Sequence, residues 1–109
     1  MSALASQRCV PCDKGTPPIK SAAAAELLRQ LHGWEIIADQ RLSRGFAFPN
    51  FVTALAFTNQ VGEVAEAEGH HPEIHLTWGK VRIEIWTHSI GGLSLADFVL
   101  AAKIDELAK

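Results

Sequence analysis

Residues 74–88 read IHLTWGKVRIEIWTH, two strand-like runs on either side of a Gly79-Lys80 turn. In the second run Val81, Ile83 and Ile85 alternate with Arg82, Glu84, Trp86 and His88, the period of two that gives a strand one apolar and one polar face. A link this short joins the runs as an antiparallel hairpin. The pattern has an earlier counterpart in WEIIA (34–38) and RLSRGFAF (41–48), joined by Asp39-Gln40. There Leu42, Arg44, Phe46 and Phe48 share one face, and Arg41, Ser43, Gly45 and Ala47 the other.

Helices separate and flank these hairpins. Between them Pro49-Asn50 stops the strand, and FVTALAFTNQVGEVAEAEG carries Phe57, Val61 and Val64 at helical spacing, with Phe51, Leu55 and Ala65 widening the stripe. Asn50 is placed to cap this helix and Gly69 to end it. Glu63 and Glu68 read as its solvated end. Upstream, SAAAAELLRQLHG predicts a helix of about three turns with Ser21 as cap and Gly33 as stop. Downstream, Ser89-Ile90-Gly91-Gly92 forms a turn and Leu95 to Leu107 a last helix, with Ser94 and Asp97 spaced as a capping box. Helix, hairpin, helix, hairpin, helix predicts an α+β fold: two layers, a four-stranded mostly antiparallel sheet with three helices packed on one face. Trp78, in step with Ile74 and Leu76, is expected in the core.

With 109 residues the chain has room for one core, read as a domain over 20–109 behind a flexible leader, 1–19. A net charge of -2 lacks the basic excess that nucleic acid requires. No apolar run reaches membrane-spanning length, and the first twenty residues lack a secretory core, so a cytoplasmic protein is expected. Cys9 and Cys12, in a CVPC tetrad, are the only cysteines. Neither the helix of a redox motif nor two further zinc ligands stand nearby, which leaves two reduced thiols.

Three of the five histidines fall within EAEGHHPEIHLTW, 66–78. His70 and His71 follow the helix-ending Gly69, and Pro72 holds His71 in extended backbone. A proline directly after His71 prevents His71 and His75 from forming a helical ligand pair, and no HExxH is present. No metal is therefore expected. Imidazoles titrate near neutrality and exchange protons at cellular pH. His32 and His75 read as surface residues, on a helix terminus and a polar strand face. The adjacent pair points to a polar, proton-exchanging site, with surface histidines as the alternative.

Glu66, three residues, His70-His71-Pro72, five residues, Trp78, nine residues, His88, eight residues and Asp97: this spacing resembles that of the pterin-4a-carbinolamine dehydratases, over roughly residues 20–108. Those enzymes read acid-x3-HHP, an aromatic, a Thr-His pair and an aspartate opening the last helix. Some carry an arginine before that aspartate, where this chain has Ala96. The resemblance implies dehydration of 4a-hydroxytetrahydropterin to quinonoid dihydropterin, with the pterin as substrate and no cofactor. It implies His70 and His71 as general acids at the C4a hydroxyl and His88 as ring contact and proton-transfer aid. Glu66, Pro72, Thr87, Ser89, Ile90 and Asp97 would complete substrate binding. It further implies a homodimer or homotetramer, and a functional link to aromatic amino-acid hydroxylases. Alternatives within it are a protein-binding dimerisation cofactor and a role in molybdenum-cofactor metabolism.

Overall fold

The computed structural model describes residues 4–9 and 17–108. Its elements are α1 (Ser21–Leu28), β1 (Glu35–Ile37), β2 (Arg41–Ala47), α2 (Phe51–Glu68), β3 (Glu73–Thr77), β4 (Lys80–Ile85), a 3₁₀ turn (His88–Ile90) and α3 (Leu95–Leu107). The fold is α+β, with a single antiparallel sheet ordered β1-β2-β4-β3. Both hairpins form, and β4 crosses to β2, pairing Leu42 with Ile85 and Phe46 with Val81. Val81, Ile83 and Ile85 thereby turn their shared face into the core beneath the helices, alongside Leu42, Phe57, Val61, Phe98, Val99 and Leu100. No helix among the described residues is long and apolar enough to cross a membrane.

The β1–β2 turn places Ala38 and Asp39 at positive φ, 52° and 57°, with the Gln40 N–H donating to the Ile37 carbonyl. Two successive positive φ values match the right-handed twist of a hairpin. Arg44, the charged member of an apolar face, is accommodated by Asp105 of α3. Its Nη1 lies 2.6 Å from Asp105 Oδ1, and its guanidinium lies over Phe46. The buried Asp105 also accepts from Trp34 Nε1 at 2.7 Å and the His32 backbone N–H at 3.0 Å, so β2 and the segment before β1 are both tied to α3.

Several expectations are corrected. α1 ends at Leu28, and the chain continues in i→i+3 turns through Leu31, so His32 lies beyond the helix. Lys20 stands at the N-cap position without a side-chain bond and Ser21 is already helical. Trp78 is 67% exposed, because β3 ends at Thr77 and the alternation stops before it. Glu68 is held rather than solvated: it accepts from the Cys9 backbone N–H at 2.9 Å and faces Lys103 Nζ at 4.0 Å. That contact belongs to residues 4–9, part of the expected leader, where Leu4 enters the core and Lys103 Nζ donates to the Ala5 carbonyl. Cys12 lies outside the described residues.

Candidate functional site

Three element ends converge at the site. Asn50 caps α2 by accepting from the Thr53 N–H. After eighteen helical residues α2 closes at Gly69, φ 66°, with the His70 N–H on the Ala65 carbonyl and the Gly69 N–H on that of Glu66. This is the Schellman arrangement, in which a left-handed residue ends a helix at little cost when it is glycine. It sends His70 toward α3 while His71 stays at the surface.

At the start of α3, the Ser94 side chain accepts from the Asp97 backbone N–H, and Asp97 Oδ2 accepts from the Ser94 N–H at 2.7 Å. The predicted capping box is present. Asp97 is completely buried, and its carboxylate is not spent on the cap alone. Oδ2 also accepts from Thr87 Oγ1 at 2.9 Å, and Oδ1 lies 2.5 Å from His70 Nε2. Thr87 Oγ1 further meets Ser94 Oγ at 2.7 Å. One aspartate thus joins the end of α2, the segment after β4 and the start of α3. With Nε2 committed to a carboxylate, His70 offers Nδ1 to a ligand.

The third end follows β4. Thr87 and Gly92 bridge each other through backbone bonds, closing a loop with His88 at its 3₁₀ turn. The His88 ring stacks on Trp86 with centroids 4.4 Å apart at 34°. Gly69, His70, His71, Trp86, Thr87, His88 and Ser89 line an open recess of about 300 Å³, the lower end of the usual ligand-pocket range.

Of the residues expected from the sequence, His70, His71, Thr87, His88 and Ser89 line this recess. Asp97 stands behind His70. Glu66 lies 2.8 Å from His71 Nε2, but both side chains are well exposed, 78% and 63%, where an ion pair contributes little. Pro72 and Ile90 are half-buried and lie outside the lining. His75 points from the polar sheet face toward Glu73. Trp86 was not singled out from the sequence, although a tryptophan on the polar side of an alternating strand was the available signal. The described residues bring no three metal-ligating side chains together at this recess; the one such grouping, Glu73, His75 and Glu84, lies on the sheet face.

The Cys9 thiol lies nearby, its Sγ 3.5 Å from the Ala96 carbonyl. Burial, and then the charge of Glu68, push Cys9 up to about 11. The Cys9 backbone N–H is in turn the main cause holding the Glu68 carboxyl below its ordinary value.

The family model described as Pterin 4 alpha carbinolamine dehydratase matches residues 17–107. A relative from Alkaliphilus metalliredigens named for that dehydratase is 50% identical over 107 residues, covering 97% of this chain and 96% of its own. The crystal structure titled transcriptional coactivator/pterin dehydratase from Brucella melitensis superposes with a TM-score of 0.80 at 31% identity, over 84% of this chain and 99% of that one. A pterin dehydratase-like protein identified as a RuBisCO assembly factor in the alpha-carboxysome is similar at a TM-score of 0.61 and 26% identity, over 71% of this chain and 90% of its own. With the match spanning every element that builds the recess, the chain belongs to the pterin 4 alpha carbinolamine dehydratase family.

Proposed function

We propose that the histidine recess dehydrates 4a-hydroxytetrahydropterin, the product released by aromatic amino-acid hydroxylases, to quinonoid dihydropterin. The C4a–O bond breaks, the hydroxyl leaves as water, N5 gives up its proton, and a C4a=N5 bond forms. No electrons are exchanged with another molecule. A hydroxyl leaves well only when protonated, so the step calls for an acid at the oxygen and an acceptor near N5. The observation that carries the reading is His70, paired with a buried carboxylate and facing the same recess as His71 and His88.

In this assignment His70 and His71 protonate the hydroxyl, each from its own side, and His88 packs against the ring and assists the N5 proton. The decisive experiment is carbinolamine dehydration with the spontaneous rate subtracted. His70→Ala, His71→Ala and His88→Ala should each fall by ~10²–10⁴, His88→Ala with weakened binding as well. His75→Ala and His32→Ala should stay within about threefold, as expected for groups that do not touch substrate. A folded His70→Ala, His71→Ala double variant with wild-type rates would defeat the assignment.

Self-association is part of the proposal. Phe51, Val52 and Leu55 leave an apolar strip exposed on α2, away from the recess. Light scattering should give a dimer or tetramer of the 11.8 kDa chain, and a monomer at micromolar concentration would remove this element alone. The same strip favours a second reading, in which the protein also binds a protein partner.

A further inference from the structure

Trp86 lines a second recess, about 230 Å³, together with Gln40, Arg41 and Gly91. The dehydration described above makes no use of it. No acidic side chain belongs to its lining, and its one charged group, Arg41, is 43% exposed and only loosely ion-paired, through Nε, with Glu84. Arg41 Nε is buried without a hydrogen-bond partner, since Glu84 Oε1 stands 3.6 Å away, beyond hydrogen-bond reach. The Arg41 guanidinium carbon lies 5.8 Å from the Trp86 ring centroid, close enough for the cation to rest on the ring face. Among the described residues no side chain or carbonyl accepts from its terminal nitrogens. An arginine with its fork unspent is suited to a carboxylate or phosphate.

The two recesses meet at Trp86, whose ring also carries His88. The first, at about 300 Å³, suits a bicyclic ring and little more. A pterin's C6 is bonded to N5, so a C6 substituent leaves the ring beside the reacting atoms, on the side of the proton-transfer groups. From the wall formed by His88 and Trp86, the Arg41 recess is the adjoining space.

We propose that the Arg41 recess is a subsite for an anionic group, phosphate or carboxylate, on the C6 substituent of the pterin bound in the histidine recess. Gln40 contributes a neutral hydrogen-bonding amide beside it. The inference rests on the pterin reading above, and its test separates the two. Dissociation constants are measured by equilibrium dialysis for 6-hydroxymethyl-7,8-dihydropterin, its phosphate ester and 6-carboxypterin, at low and high salt.

The wild-type protein should bind at least one anionic probe about tenfold or more tighter than the uncharged one, the worth of a charge-assisted hydrogen bond, with the preference shrinking in salt. The phosphate and carboxylate arms identify which anion fits. Arg41→Gln should abolish the preference and leave the uncharged probe's affinity unchanged, Arg41→Lys should keep part of it, and Gln40→Glu should weaken only the anionic probes. The last variant leaves Arg41 in place and guards against a folding defect in the others. Equal affinities for charged and uncharged probes in the wild type, or an Arg41→Gln loss shared equally by all, would overturn the subsite while the pterin reading stands. Failure of every probe to bind would overturn both.

Discussion

Replacing Asp97 by asparagine tests whether the helix cap and the chemistry share one carboxylate. Asparagine has nearly the same shape, so its carbonyl can still accept from the Ser94 N–H and from Thr87 Oγ1, which now reach Asp97 at 2.7 and 2.9 Å. Its NH₂ must then face His70 Nε2. That nitrogen becomes an acceptor, the ring proton moves to Nδ1, and the tautomer that the aspartate imposed is lost. Stability should fall by about 1–2 kcal/mol, the size of a weakened cap plus one charge-assisted bond. For a chain of this length that is roughly 4–15 °C in Tm. Turnover should fall by ~10² or more, the lower edge of acid–base effects, although every residue touching substrate is unchanged. Stopped-flow dehydration, with folding checked by circular dichroism at a temperature below both melts, reads the two effects separately. Because Asp97 acts through His70, the Asp97→Asn, His70→Ala double variant should be no slower than His70→Ala. By contrast Glu66→Gln, at the exposed His71 pair, should cost less than about threefold. A folded Asp97→Asn protein with the wild-type rate, or a double variant losing the product of the two single losses, would refute the reasoning.

Two other predictions concern the N-terminal contact. Cys9, raised from 9.0 to about 11, should hold about a hundredfold less thiolate at pH 8 than a free cysteine. Iodoacetamide labelling mapped by mass spectrometry should therefore be slow at Cys9 in the folded protein and recover on unfolding; equal rates in both states would contradict the burial. Glu68 is shifted the other way, below 4.5, so its contribution is present above that value and lost as pH falls toward the folded-state value. Thermal melts should show Glu68→Gln less stable than wild type at neutral pH, with the gap closing on acidification; a gap that does not depend on pH would exclude the carboxylate as its source.

What could be read from the sequence was local. Asn50, Gly69, Ser94 and Asp97 mark helix ends through bonds that reach only a few residues along the chain, and the period of two in 81–85 identified β4. The fold class followed from the order of these elements. The histidine pair was legible for the same reason, since a proline after a helix stop constrains its immediate neighbours. Contacts between distant segments were not legible. Asp105 draws Arg44 and Trp34 from 61 and 71 residues away, and Glu68 takes a bond from a residue 59 positions earlier, so a pattern read along one helix assigned both acids to solvent or left them unassigned. Trp78 failed at a boundary: alternation describes a strand only while the backbone stays extended, and β3 stops one residue short.

The site is made of element ends, and this explains why its capping residues and its reactive residues overlap. Mid-helix and mid-strand backbone groups are paired within their own elements, whereas the last turn of α2 and the first turn of α3 each leave groups that need partners. Gly69 resolves the first by bending the chain, and that bend delivers His70. Asp97 resolves the second, and its remaining oxygen fixes His70. Thr87, just past the inner strand β4, bonds to the same carboxylate, so the His88 loop is referenced to α3 rather than left to its own short turn. In a chain of 109 residues few positions are free of packing duty. Placing the recess where three elements terminate lets the bonds that end those elements also orient the imidazoles, leaving the core beneath them apolar.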